Sequence, residues 1–267
     1  MWCVRWKKLL AQSLFNWRRE PQRRAEPRVP SGQRIYCIGD IHGRDDLLQL
    51  LHDQIAADAA TYRGLKQIVY LGDYIDRGPA SRQVVDRLIS QTPVGFEPIY
   101  LRGNHEQALL DFLQDARRMA TWLNWGGKET LNSYGVLLPP NLAPEHIELL
   151  GRQLAQRIPE THLKFYDGLL PDHAVGDYYF VHAGIRPGVA LHKQELGDKL
   201  WIREDFTRSQ EQHPAVVVHG HSITAQAEML PNRIGIDTGA FYTGVLTALV
   251  LEENSQRLLQ TSKSASS

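Results

Sequence analysis

Two cysteines, Cys3 and Cys37, are all that the 267 residues contain. That number excludes a disulfide framework and suits a reducing compartment. Cys37 lies inside an apolar run and reads as a small buried residue. Uninterrupted apolar stretches are also missing: none approaches the ~20 residues of a spanning helix. No small-residue cleavage pattern follows residues 9–15, which argues against a removed signal peptide. There is no internal repeat, and no net charge, since 30 basic residues face 30 acidic ones. The balance is uneven, however. Residues 1–34 hold nine Arg or Lys and two Glu, a net +7, so the remainder carries −7. A mildly acidic body with a basic arm is not the profile of a dedicated nucleic-acid binder, and no nucleic-acid partner is expected. Hydrophobic residues at 42% are enough for a sizeable core, which excludes global disorder.

What is present begins with an amphipathic pattern. Trp2, Trp6, Leu9, Leu10, Leu14 and Trp17 recur at spacings of three and four, with Lys and Arg over much of the remaining surface. Residues 1–20 therefore read as a helix suited to an anionic membrane surface. Docking on the body or on a partner is the plainer reading. Pro21, Pro27, Pro30 and Gly32 make residues 20–33 a linker. The divisions that follow are a basic arm and linker at 1–33, a catalytic domain at 34–253 and a polar, disordered tail at 254–267. The expected location is cytoplasmic, with peripheral membrane association through the arm.

From Arg34 onward one event occurs three times: an apolar strand, a glycine turn with charged or polar residues, then a helix. Ile35-Tyr36-Cys37-Ile38 leads into Gly39-Asp40-Ile41-His42-Gly43, with a helix predicted over about 45–62. Ile68-Val69-Tyr70-Leu71 leads into Gly72-Asp73-Tyr74-Ile75-Asp76-Arg77-Gly78, with a helix from Pro79. Pro98-Ile99-Tyr100-Leu101 leads into Arg102-Gly103-Asn104-His105-Glu106, with a helix from Gln107 to about Arg117. This is a βαβαβ run, which implies an α/β fold with a parallel sheet and functional residues along one edge. Residues 118–166 read as a helical insert without chemistry of its own. Strands then resume, ending in His182-Ala183-Gly184, His219-Gly220-His221 and Asp237-Thr238-Gly239, and a last strand covers 245–251.

The strand ends collect Asp40, His42, Asp73, Asn104, His182 and His221. Asp40 and His42, two apart, point to the same side of an extended segment. A carboxylate has two oxygens, so Asp73 can join two sites, Asp40/His42/Asp73 and Asp73/Asn104/His182/His221. Mixed nitrogen and oxygen ligands without thiolate suit manganese, iron or zinc and disfavour calcium. Two such ions about 3.5–4 Å apart would activate a bridging water for in-line attack on a phosphoryl group. His105 can protonate the leaving oxygen, and Asp76 can orient it. Arg77, Arg102 and Arg203 are candidate phosphate clamps, since guanidinium matches phosphate oxygens in pairs. Arg102 serves equally as an ion-pair partner for Asp73 or Asp76. Singly, each motif has a structural explanation. Asp-x-His is commonly structural, and Gly-Asn-His can be a capped loop. Six ligands in order, each after a strand, are what point to metal. His219 reads as a core or supporting residue, Trp201 as core that holds Arg203, and Tyr242 as either site or core.

Gly-Asp-Ile-His-Gly at 39–43, Gly-Asp-Tyr-Ile-Asp-Arg-Gly at 72–78 and Gly-Asn-His-Glu at 103–106 resemble the signature of the phosphoprotein phosphatase family. That family belongs to the calcineurin-like phosphoesterase superfamily. Trp201-Ile202-Arg203-Glu204 and Ile236-Asp237-Thr238-Gly239-Ala240 resemble its bacterial and phage, lambda protein phosphatase-like members. The resemblance spans about residues 34–251. It implies a β-sandwich flanked by helices and a manganese-dependent phosphomonoester hydrolase. Phosphoserine, phosphothreonine or phosphotyrosine in a protein or peptide would be its substrate. A dinucleoside polyphosphate hydrolase of the same superfamily is the alternative, set second because of Glu106 and the 201–204 pattern. An inactive, membrane-tethered scaffold ranks last, because no ligand is missing.

Overall fold

The computed structural model describes residues 26–261. The amphipathic segment at 1–20 lies outside the described residues. Within them, no helix is long and apolar enough to cross a membrane.

The chain runs β1 (Gln33–Ile38), α1 (Asp45–Asp58), β2 (Leu65–Tyr70), α2 (Ser81–Ser90), β3 (Glu97–Tyr100) and α3 (Asn104–Gln114). The insert follows: a 3-10 turn at Ala120–Trp125, then α4 (Gly127–Ser133), α5 (Ile147–Arg157) and α6 (Glu160–Asp167). The second half comprises β4 (Asp172–Val175), β5 (Tyr178–Val181), α7 (Leu196–Trp201), α8 (Glu204–Thr207), β6 (Val216–His219), β7 (Glu228–Met229) and β8 (Arg233–Gly235). It closes with α9 (Ala240–Thr243), β9 (Thr247–Glu252) and β10 (Ser255–Gln260).

Two five-stranded mixed sheets result, ordered β10-β9-β1-β2-β3 and β4-β5-β6-β8-β7. β1, β2 and β3 are parallel, with Tyr36 opposite Ile68 and Ile68 opposite Pro98. β5, β6 and β8 are parallel in the other sheet. Strand alternation explains how each sheet is covered. Ile35 and Cys37 point into a core shared with Tyr178, Phe180, Val216 and Val218 of the opposite sheet. Tyr36 and Ile38 point the other way, into a core with Leu48, Leu51, Val84 and Phe112 of the helices. A sheet buried on both faces needs continuous apolar strands, which is why 35–38 and 68–71 carry no polar alternation. The structure is thus an α/β sandwich flanked by helices. Cys37, inside it, has its thiol pushed well up by burial.

Among the boundaries that differ from the expected ones, three have a clear physical cause. α3 starts at Asn104, because Glu106 in its first turn accepts the Gly103 N–H at 3.0 Å and closes the helix back on itself. Asn104 and His105 therefore sit on a rigid helical turn rather than in a loop. The start of the tail is an ordered strand: Ser255–Gln260 pairs antiparallel with β9, Leu258 opposite Leu249. An edge strand with one solvated face reads as polar in sequence. The linker also ends early. Val29 is buried in the sandwich core, and its N–H donates to Glu253 O at 3.0 Å.

Candidate active site

The carboxyl ends of β1, β2, β5, β6 and β8 and the first turn of α3 meet at one edge of the sandwich. Asp40, His42, Asp73, Asp76, Asn104, His105, Glu106, His182, His221 and Asp237 are all buried there. The backbone is strained to bring them in. Among the described residues six non-glycine residues have positive φ, and five of them are His42, Asp73, Asp76, Arg77 and His221. Each such residue costs of order 1–3 kcal/mol, so the surrounding contacts must hold these turns. Close packing is part of that hold. A Cβ on Gly103 would strike Asp73 Oδ1, and one on Gly220 would strike Asp40 Oδ1.

Asp73 is central. Its Oδ2 lies 3.4 Å from His42 Nε2, and its Oδ1 lies 3.4 Å from His182 Nε2. His42 Nδ1 is 2.8 Å from Ile75 O, and His182 Nδ1 is 2.9 Å from Leu71 O. Those carbonyls take the Nδ1 protons, so both Nε2 lone pairs face Asp73. Asn104 Oδ1 sits 2.9 Å from His182 Nε2 and 2.9 Å from His221 Nδ1. At His182, acceptors thus converge from several directions on one point. Burial keeps these imidazoles neutral: His42 is pushed well below its ordinary pKa, His182 below it, and His221 down to about 2. Burial alone would raise the Asp73 carboxyl, but the positive charge that His182, His105, His42 and His221 take on in acid holds it well below the usual range.

Among the described residues two groups able to hold a metal ion emerge, His42/Asp73/His105 and Asp73/His182/His221, sharing Asp73. The sequence pairing put Asp40 with His42 and Asp73. Asp40 accepts the N–H of His221, itself a member of the second group, at 3.2 and 3.0 Å through Oδ1 and Oδ2. Burial first, then Asp237 and Asp73, pushes the Asp40 carboxyl well up. Burial likewise raises Asp237 to about 6. Three buried carboxyl groups and converging imidazole lone pairs form a cradle of ligand atoms. His42 Nε2, His221 Nε2 and Asp237 Oδ2 lack hydrogen-bond partners in it. The donor set fits divalent ions with oxygen and nitrogen ligands.

His105 faces this cradle. Its Nδ1 is 2.6 Å from Asp76 Oδ2, and its Nε2 is 3.8 Å from Asp73 Oδ2 and 3.2 Å from Arg77 Nη2. Burial works to lower the imidazole, but Asp73 and Asp76 outweigh it and its pKa is raised. Asp76 is gripped in turn by the insert. Trp122 Nε1 donates to its Oδ2 at 2.6 Å and Thr130 Oγ1 to its Oδ1 at 2.5 Å. Its N–H donates to Ser81 and Thr130 hydroxyls at 3.0 Å. The insert therefore supports the site directly, contrary to its reading as chemically silent. Trp122 looked like any core tryptophan in sequence.

Glu106 was also overlooked. Its carboxylate accepts four backbone N–H groups: Gly103 at 3.0 Å, Asp73 at 2.9 Å, Tyr74 at 2.8 Å and Ile75 at 3.3 Å. Burial pushes its pKa up to about 8, with Asp73 adding to the rise and the backbone donors opposing it. Its place three residues into a helix was the available signal.

The arginines separate. Arg77 and Arg203 line a cleft of about 810 Å³ with His105, Lys128, Trp125, Trp201 and Phe241. Arg77 lies over the Phe241 ring at 4.9 Å. Arg102 is turned away, its guanidinium donating to Gln107 Oε1 at 3.0 Å and Tyr166 O at 3.3 Å. It pairs with neither Asp73 nor Asp76, because the α3 start and α6 claim its donors. Trp201 is 40% exposed rather than core. Tyr242 is 61% exposed, and its neighbour Phe241 is the ring that lines the cleft. His219 is buried and lowered to about 4 by burial. It stands outside both metal-holding groups.

The calcineurin-like phosphoesterase family model matches residues 33–237. The chain belongs to that family and is a metal-dependent phosphoesterase. Among curated relatives, the asymmetrical bis(5'-nucleosyl)-tetraphosphatase of Anoxybacillus flavithermus is 27% identical over 79% of this chain and 88% of its own. That of Oceanobacillus iheyensis is 28% identical over 80% and 87%. A symmetrical bis(5'-nucleosyl)-tetraphosphatase of an Acidovorax species is 32% identical, over 57% of this chain and 44% of its own. A solved structure provisionally described as a diadenosine tetraphosphatase shares the fold, with a TM-score of 0.57, 21% identity and coverage of 86% and 95%. So does a cold-active protein-tyrosine phosphatase of a psychrophilic Shewanella, with a TM-score of 0.55, 15% identity and coverage of 88% and 82%. The superfamily assignment from the motifs therefore holds. The narrower phosphoprotein phosphatase branch is not what these curated relatives are named for.

Proposed function

We propose that the chain hydrolyses dinucleoside polyphosphates. The observation that carries this reading is the set of three cations in one cleft. Arg77, Lys128 and Arg203 line it together with His105 and a single acid, Glu129, more positive charge than one phosphomonoester needs and suited to a chain of phosphates. The named relatives that match along most of their length support the same substrate class.

Asp40, His42, Asp73, Asn104, His182 and His221 would hold two divalent ions, manganese first and iron or zinc as alternatives. When bound, such ions stabilise developing charge on phosphoryl oxygens and acidify water. The chain's own residues do the rest. Arg77 and Arg203 align the phosphate chain by paired hydrogen bonds. His105, held at Nδ1 by Asp76, presents a proton from Nε2 to the departing phosphate oxygen. The buried walls of the cradle keep bulk water from competing for those charges.

The test is a substrate panel with manganese: diadenosine tetraphosphate, phosphoserine, phosphothreonine and phosphotyrosine peptides, and p-nitrophenyl phosphate. The expected result is the highest kcat/KM on diadenosine tetraphosphate, with ATP and AMP as products. Faster turnover of a phosphopeptide would overturn the reading and restore a phosphoprotein phosphatase.

A further inference from the structure

We propose that Trp125 and Trp201 form a base-stacking clamp at the mouth of the cleft. They would hold the purine of a nucleotide whose phosphates lie over the Asp73 cradle. The inference deepens the dinucleoside polyphosphate reading and rests on it.

Two tryptophans from distant parts of the chain meet there. Trp125 ends the 3-10 turn of the insert, and Trp201 ends α7 beside the second sheet. Their ring centroids are 5.5 Å apart with planes at 64°. Yet the pair is not buried by its own contact: Trp125 stays 36% exposed and Trp201 40%. Trp122, three residues earlier in the same turn, shows what a structural indole looks like here. It is fully buried and its Nε1 is spent on Asp76. Large exposed indoles are costly unless something covers them.

Position says what covers them. Both rings line the cleft that Arg77, Lys128 and Arg203 also line. Trp201 reaches further in, its ring 6.4 Å from that of His221 and nearly perpendicular to it. A flat group against these indoles is therefore close to the phosphate-binding floor. Every nucleobase offers a π face, and base–aromatic stacking tolerates any base. The tilt between the rings lets one indole present its face while the other meets the base edge, the geometry aromatic groups favour. Arg203, two residues after Trp201, lines the same cleft and offers a guanidinium for the phosphate next to the base.

The test uses the full chain with manganese and reads tryptophan fluorescence. AMP should quench it saturably, and ribose 5-phosphate, which lacks the base, should not. Trp125→Ala and Trp201→Ala should each weaken AMP binding about tenfold, and Trp125→Phe and Trp201→Phe should recover most of it. In turnover, KM for diadenosine tetraphosphate should rise more than KM for inorganic tripolyphosphate, so that the selectivity ratio falls about tenfold. Equal responses to AMP and ribose 5-phosphate in the wild-type chain would overturn the clamp without any variant. So would alanine variants that bind AMP as the wild type does. Failure to cleave diadenosine tetraphosphate with AMP quenching intact would instead overturn the substrate reading and leave a nucleotide-stacking site.

Discussion

The first sheet and the insert contribute to the site in opposite ways. The turns after β1 and β2 carry their chemistry as contiguous motifs, with Asp40, His42, Asp73, Asp76 and Arg77 all within a few residues of a strand end. The insert supports those turns through single side chains, Trp122 and Thr130, that reach Asp76 across 46 and 54 residues of sequence, while its Trp125 and Lys128 line the cleft. One region holds the reacting groups in strained turns, and the other keeps them from relaxing. Reactive geometry of this kind needs a rigid support that is itself unreactive.

That contrast can be broken at its centre first. Asp73→Asn removes the charge from the only side chain shared by both metal-holding groups. Turnover should fall to background, and titration calorimetry should show weaker manganese binding. Treatment with a chelator should abolish turnover of the wild-type chain, and added manganese should restore it. Retained turnover in the variant would refute the shared-carboxylate arrangement.

Glu106→Gln attacks the link between β2 and α3. The amide keeps one acceptor oxygen but turns an N–H toward backbone donors that the carboxylate now satisfies. The expected cost, by urea titration above pH 8 where the carboxyl is ionised, is about 2–3 kcal/mol of stability, with a loss of kcat because the Asp73 turn loosens. Wild-type stability in the variant would mean that the strained turn holds itself.

A smaller effect is expected from the insert. Trp122→Phe and Thr130→Val each delete one donor to Asp76 while largely preserving volume. Such support typically matters by about 10–100-fold, and kcat should drop more than KM rises. If KM alone changed, the insert would be a substrate wall rather than a support for His105.

The smallest effect on chemistry belongs to the arm. Deletion of residues 1–25 should leave hydrolysis of p-nitrophenyl phosphate unchanged and weaken binding to anionic vesicles, as a basic amphipathic segment would require. Unchanged vesicle binding would remove the membrane proposal. The cut stops before Val29, because that side chain is part of the sandwich core.

Much of this site was legible in sequence because parallel α/β folding converts local order into spatial order. Each strand end arrives at the same edge, so Asp40, His42, Asp73, Asn104, His182 and His221 could be collected without coordinates. Strand alternation likewise made β1 and β2 readable as runs buried on both faces. Other features had no local signal. Arg102 looked like a phosphate clamp until Gln107 and the Tyr166 carbonyl took its donors. The pairing of Ser255–Gln260 with β9 depends on a turn and a vacant sheet edge, not on the strand's own polar composition. Trp125 and Trp201 became a pair only when the insert folded against α7. Sequence alone determined which groups could do phosphoryl chemistry, since identity and strand-end position are local properties. Only the tertiary structure decided which groups hold them, which arginines face the cleft and what lines its mouth, because those depend on packing between segments far apart in the chain.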